Sequence, residues 1–181
     1  PNLPLFLLGH SLGATIAIAS CAEYKREIGG LVLSATACQL GASIGKIQIF
    51  LAKTLSSIVP KLKIDRLDSS TISKDEEVVA AYRNDPLVYT GKLSARLGAE
   101  IIKAMDNLTT MSASLEMPVL ILHGAQDRLA DPKGSRTLHN NCGMADKTLK
   151  IYQGLYHEIM NEPERLDVLK DIEKWLAEKK K

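Results

Sequence analysis

Ser11 sits between two glycines in Gly9-His10-Ser11-Leu12-Gly13, behind the apolar run Pro4 to Leu8 and ahead of the small-residue run Ala14 to Ala22. A serine hydroxyl attacks a carbonyl only when a base takes its proton and the backbone aims it. Strand, sharp turn and helix supply the aim, because side chains are missing where the chain folds back and the hydroxyl is raised above the sheet. A bare G-x-S-x-G turns up by chance in about one chain in twenty of this length. Agreement of the flanking strand and helix signals is what sets this one apart.

A base and a group to orient it must follow. Pro118-Val119-Leu120-Ile121-Leu122-His123-Gly124 predicts a buried parallel strand, and Asp127 falls in the loop past its C-terminal end. Catalytic loops of open α/β sheets gather at that edge. Thr148 to Tyr152 predicts a further strand followed by Gln153-Gly154-Leu155-Tyr156-His157-Glu158, so His157 leaves the sheet on the same side. His157 would be the general base and Asp127 the acid that holds its tautomer, which is the chemistry of acyl transfer from an ester. Asp131 is the alternative acid, although Asp131-Pro132 also fits a helix N-cap with proline at the first helical position. His10 is held beside the nucleophile by the turn, His123 closes a strand, His139 lies in a helical pattern, and Glu158 reads as a surface or rim residue. The order Ser11, Asp127, His157 is that of α/β-hydrolases and differs from the chymotrypsin and subtilisin orders.

The elements that must position these groups read as α/β: a partial, mostly parallel sheet flanked by helices, with a helical cap inserted between core strands. Strand and helix alternate up to Leu31-Val32-Leu33-Ser34-Ala35. From 38 to 115 no parallel-strand run appears. Ile47, Phe50, Leu51, Leu55 and Ile58 mark one helix, Ser73 and Glu76 give a capping-box spacing ahead of Val78 and Val79, and Leu93, Leu97, Ile101, Met105 and Leu108 mark a longer amphipathic helix. The expected division is hydrolase core 1–37, all-helical cap 38–115 and hydrolase core 116–181, with part of the cap's apolar surface facing lipid. Leu166, Leu169, Ile172, Trp175 and Leu176 are expected to form the buried face of the last helix.

Composition narrows the function classes. Hydrophobic residues make up 45% of the chain and aromatic residues only 4%, so its core is aliphatic. With 23 basic and 21 acidic residues the formal net charge is +2, which is no nucleic-acid signature; Lys179-Lys180-Lys181 reads as a solvated helix end. Cys21, Cys38 and Cys142 are odd in number, widely spaced and without metal-ligand grouping. They point to reduced thiols in a cytoplasmic setting, and peripheral membrane association is compatible with the same usage. No apolar run approaches the ~20 residues of a membrane-spanning helix. The chemistry requires no cofactor and no metal.

The chain resembles the monoacylglycerol lipases of the α/β-hydrolase superfamily along nearly its whole length. The likeness rests on GHSLG, on LDSSTISKDEEVVAAYRNDPLVYTGK in the cap region, on ILHGAQDRLADPKGS, and on DKTLKIYQGLYHEIMNEPER around His157. It implies Ser11 as nucleophile, Asp127 as acid, His157 as base, and the backbone N–H of Leu12 as an oxyanion-hole donor. It further implies an acyl chain lying under the cap near Leu12, Ala37, Leu129 and Ile159, with glycerol deeper beside the triad. The implied partner is a small-molecule lipid ester, with peripheral membrane contact through the cap; no nucleic acid is implied, and oligomeric state is left open. Plant caffeoylshikimate esterases and lysophospholipases are similar too. A non-lipid carboxylesterase or thioesterase, or a hydrolase-fold binding protein, therefore stays open beside the lipase reading. Ala14 stands where many relatives carry glycine. Family members place about four strands and an HGxG oxyanion loop ahead of the nucleophile strand. No HGxG occurs here and the first residue is Pro1. The expectation is a C-terminal part of a protein of roughly 280 residues, inactive or nearly so when expressed alone.

Overall fold

Leu31, Leu33, Val119 and Ile121 lie in one apolar cluster, while Val32, Leu120 and Leu122, their neighbours along the same two strands, lie in another. Strands buried on both faces in this way belong to a parallel sheet covered by helices on each side. The computed structural model describes residues 4–24, 28–41 and 46–180. Along them run β1 (Phe6–His10), α1 (Leu12–Glu23), β2 (Gly30–Ser34), α2 (Lys46–Ile58), β3 (Lys63–Asp65), α3 (Glu76–Asn84), β4 (Leu93–Ser94), α4 (Ala95–Ala113), β5 (Val119–Gly124), α5 (Pro132–Asn141), β6 (Lys147–Tyr152) and α6 (Arg165–Lys179).

The main sheet has the order β1-β2-β5-β6 and every pairing in it is parallel. Its register sets Leu8 beside Val32, Val32 beside Leu120, and Leu120 beside Thr148. One face is covered by α1, α4 and α5 through Ala14, Ile18, Leu108 and Leu138. The other is covered by α6 through Val168, Ile172 and Trp175. At the β1 edge, Leu5 and Leu8 are exposed. Because every strand runs the same way, the loops after β1, β5 and β6 emerge at one end of the sheet. Ser11, Asp127 and His157 are in those loops.

The segment between β2 and β5 differs from an all-helical insertion. Lys63–Asp65 and Leu93–Ser94 pair as a short antiparallel ribbon, so Leu93 belongs to β4 and α4 begins only at Ala95. Ser94 supplies the cap of α4 by accepting from the Leu97 N–H at 3.3 Å. Nor does Ser73 cap α3. Asp75 accepts from the Glu77 N–H at 2.9 Å, and the Ser73 hydroxyl accepts from Asp75 N while donating to Glu162. The C-terminal half of α4 packs into the main core through Leu108, so the insertion is continuous with the sheet layers. The helix α2 falls where its periodicity predicts, although the side chains of Ile47 and Leu51 lie outside the described residues.

The last helix is also rotated from its expected face. Val168, Ile172 and Trp175, spaced four and three apart, form the buried stripe, whereas Leu166 and Leu169 are exposed. Trp175 packs edge-on against Phe6, 6.1 Å between centroids, and lies over Gly30, where any added Cβ would meet the indole. Trp175→Ala is expected to cost about 3–5 kcal/mol of stability, whereas Leu166→Ala should stay within about 0.5 kcal/mol. Urea unfolding followed by circular dichroism measures both, and equal losses would restore Leu166 to the core.

Candidate active site

Ser11 occupies the turn between β1 and α1 with φ 52° and ψ −120°, left-handed backbone that a non-glycine residue adopts at a cost of about 1–3 kcal/mol. Its surroundings hold it there. The Ser11 N–H donates to Ser34 O at 2.9 Å, and its carbonyl accepts from Ala14 N at 3.1 Å and from Ala37 N at 3.3 Å. Gly9 is required by this fold-back, because a Cβ there would lie 2.6 Å from Ala14 Cα. Gly13 is not under that constraint: an added Cβ would meet nothing within 4 Å.

Two further loops bring their side chains to the hydroxyl. His157 Nε2 lies 2.9 Å from Ser11 Oγ, and His157 Nδ1 lies 2.7 Å from Asp127 Oδ2. A carboxylate can only accept, so Nδ1 carries the proton and the Nε2 lone pair faces the serine. Gly124 permits this docking. A Cβ at its position would lie 2.0 Å from the Tyr156 carbonyl, which precedes His157.

Asp127 is buried and satisfied at both oxygens. Oδ1 accepts from the Leu129 and Ala130 N–H groups at 2.8 and 3.0 Å. Oδ2 accepts from His157 and from His123 Nε2 at 3.0 Å. Burial pushes this carboxyl up. Hydrogen bonds from His123, His157 and the Ala130 N–H outweigh burial and hold it well below the usual carboxylate range. His123 is itself fully buried, with Nδ1 2.6 Å from Ser135 Oγ, so it links α5 to the acid. Asp131, the alternative acid, instead caps α5 by accepting from Lys133 N at 2.9 Å.

Glu162 anchors the histidine loop. Fully buried, it accepts from Tyr156 N at 2.9 Å, Ser73 Oγ at 3.1 Å and Lys74 N at 3.3 Å. The neighbouring Glu158 N–H donates to Ile72 O at 2.8 Å. The insertion and the His157 loop are thereby stitched together. Sequence reasoning missed both His123 and Glu162. For His123 a signal existed, since an imidazole closing a fully apolar strand must find buried partners; for Glu162 there was none.

Above the serine lies a mostly apolar cavity of about 490 Å³, and Leu12, Ala37 and Leu129 line it with Ser11 and His157. Ile159 does not: it is fully buried in the α6-side core with Val32 and Leu122. The opposite wall comes from the insertion, chiefly Ile64, Leu93, Leu97, Ile101 and Met105, with Arg66 and Asp68 as polar members. The α4 periodicity therefore serves a cavity as well as a core. Leu12 opens α1, where its N–H has no intrahelical carbonyl to bond and is available to an oxyanion. Among the described residues no group of three His, Cys, Asp or Glu side chains is placed to hold a metal, and no helix is long and apolar enough to cross a membrane.

A family model described as serine aminopeptidase, S33 (Hydrolase_4) matches residues 1–164. The monoacylglycerol lipase of Mycolicibacterium smegmatis is 39% identical over 177 residues, which is 98% of this chain and 63% of that protein. The chain thus spans less than two thirds of that relative's length. The crystal structure of Paleococcus ferrophilus monoacylglycerol lipase superposes with a TM-score of 0.90 at 32% identity, over 98% of this chain and 69% of that one. A soluble variant of Saccharomyces cerevisiae monoglyceride lipase, solved with a substrate analog, superposes with a TM-score of 0.89 at 29% identity, over 99% and 64%. The parallel sheet superposes on these structures, and the chain belongs to the Hydrolase_4 family of α/β-hydrolases, with monoacylglycerol lipases among its relatives.

Proposed function

We propose that the protein is a serine hydrolase of lipid carboxylic esters, cleaving monoacylglycerol to glycerol and free fatty acid. One observation carries this reading: the hydrogen-bonded series Ser11–His157–Asp127 opens into an apolar cavity walled by the insertion. The names of the relatives, two monoacylglycerol lipases and one monoglyceride lipase, support the substrate class.

In this mechanism His157 Nε2 takes the Ser11 proton as Oγ bonds to the ester carbonyl carbon, and the carbonyl electron pair moves to oxygen facing the Leu12 N–H. The C–O bond to glycerol then breaks, and His157 returns its proton to the leaving alkoxide. Water attacks the acyl-serine by the reverse route and releases the fatty acid. Asp127 stays ionised throughout, which its four donors favour.

A fluorophosphonate should label Ser11 in the intact protein, and Ser11→Ala should abolish the labelling. Asp127→Asn is expected to lower kcat by about 10⁴-fold through the wrong histidine tautomer. Asp131→Asn keeps a helix-capping side chain and should leave kcat nearly unchanged. Steady-state hydrolysis of a soluble ester checks both, and the opposite ranking would transfer the acid's role to Asp131.

Acyl length separates the lipase reading from a small-ester esterase. Each further methylene buried in the cavity contributes about 0.8 kcal/mol, or about fourfold in kcat/KM, until the cavity is full. A monoacylglycerol series from short to long chains measures this. Rates flat across the series, or faster cleavage of caffeoyl esters, would favour the esterase.

Phe50 and Ile58 on α2, with Val59 and Leu62 just after it, are exposed apolar side chains on the insertion, and we assign them to peripheral contact with a lipid surface. Phe50→Lys with Ile58→Lys should weaken co-sedimentation with phospholipid vesicles severalfold while hydrolysis of a soluble short ester holds. Equal loss of both would mean that these side chains serve the fold.

A further inference from the structure

The catalytic imidazole has a second neighbour that the mechanism above leaves unused. His10 precedes the nucleophile, and its ring centroid lies 4.9 Å from that of His157 at a tilt of 57°. Each His10 nitrogen faces a polar side chain. Nδ1 lies 3.1 Å from Ser34 Oγ, on the fully buried residue paired with His10 across β1 and β2. Nε2 is buried without a hydrogen bond among the described residues, yet Glu158 Oε1 lies 3.4 Å away, an electrostatic contact whose angle is too oblique for a hydrogen bond. A carboxylate oxygen facing Nε2 favours the proton on that nitrogen, and in that tautomer Nδ1 accepts from the Ser34 hydroxyl.

Glu158 is fixed as firmly. Its other oxygen accepts from Asn161 Nδ2 at 2.8 Å, its own N–H is bonded to Ile72 O, and its side chain is only 20% exposed. It lines an outer groove, in keeping with the surface or rim position read from the sequence, and these partners hold it there. The contact with His10 holds its carboxyl below the ordinary range against the opposing effect of burial, and the Asn161 bond acts in the same direction as that contact.

We infer that Glu158 and His10 form a second carboxylate–imidazole couple beside the triad, positioning the His157 ring and favouring its protonated form as it takes the Ser11 proton. This rests on the hydrolase reading of Ser11, His157 and Asp127. The need for such a couple follows from Asp127. Its Oδ2 serves two imidazoles at once, so less of its charge is directed at His157 than if it bonded one ring. A second fixed carboxylate compensates. Glu158 lies one imidazole away from His157, through His10. The other titratable groups facing this assembly are Arg66 and Asp68 across the substrate cavity, and Asp75, Glu77, Asp85 and Arg165 around the outer groove that reaches Glu158. None of these stands between Glu158 and His10 in the contacts above.

The test is an NMR titration of the His157 ring in the intact protein, with the pH profile of kcat/KM on a soluble ester and fluorophosphonate labelling of Ser11 measured alongside. Glu158→Gln keeps an acceptor for Asn161 but loses the charge. It should lower the His157 midpoint, and with it the acid limb of kcat/KM, by about half a pH unit to one unit, with kcat down about threefold to tenfold and KM unchanged. Glu158→Asp should restore the midpoint in large part. His10→Ala should broaden the downfield Nδ1–H resonance of His157 through faster exchange. A midpoint in Glu158→Gln that superimposes on the wild type overturns the inference whether or not turnover falls. Failure of Ser11 to label in the wild type would instead count against the hydrolase reading, and the NMR midpoint still decides the role of Glu158.

Discussion

A carboxylate taken out of water must be fully hydrogen-bonded or it gives up its charge, and the arrangement of this site follows from how Asp127 meets that demand. Its four donors come from three places: the imidazole closing β5, two backbone N–H groups of its own loop, and the histidine of the loop after β6. Through His123 and Ser135 the same carboxylate also reaches α5. One buried charge therefore sets the shape of its loop, the seat of a helix and the tautomer of the base. Removing any single donor would leave part of that charge unpaired, so these elements are fixed together.

Positioning of the nucleophile has a different physical basis. Ser11 is held against its backbone preference by contacts with β2, α1 and the turn after β2, so the strain resides in the serine and the restraint in its surroundings. The two halves meet only because the backbone comes unusually close at particular glycines. Gly9 lets β1 approach α1, and Gly124 lets the histidine loop lie on the end of the acid's strand. A methyl group at either place would separate partners whose hydrogen bonds are 2.7 to 2.9 Å long.

How legible this was in the sequence depends on how local each cause is. The elbow, the three loops and the Asp131 cap are set by residues within a few positions of one another, and each was readable from pattern. The insertion was harder. The β3–β4 ribbon is short and its pairing joins residues some thirty apart, which periodicity does not register. The face of α6 was misassigned because five apolar residues offered two stripes, and the contact of Trp175 with Phe6 and Gly30 selects the stripe through Val168. Ile159 follows the histidine closely enough to suggest a lining role, yet the loop turns it into the core behind the sheet. Glu158 and Glu162 look alike in sequence, both acidic residues in a polar stretch, and only their tertiary partners distinguish them from solvated side chains.

Those two glutamates also bear on why the apolar cavity and His157 are not independent parts. Glu162 binds the N–H before His157 and, with the same carboxylate, the Ser73 and Lys74 groups of the insertion. The Glu158 N–H reaches Ile72 in that same segment. The insertion that supplies the far wall of the cavity is thus bonded directly to the loop that supplies the base. A fully buried carboxylate shared between them cannot lose one set of partners without leaving polar atoms unsatisfied, at a cost of about 1–3 kcal/mol or more for a charged group. That cost keeps His157 in register with the cavity wall that the insertion supplies, so the shape of the cavity and the seat of the imidazole become a single structural condition.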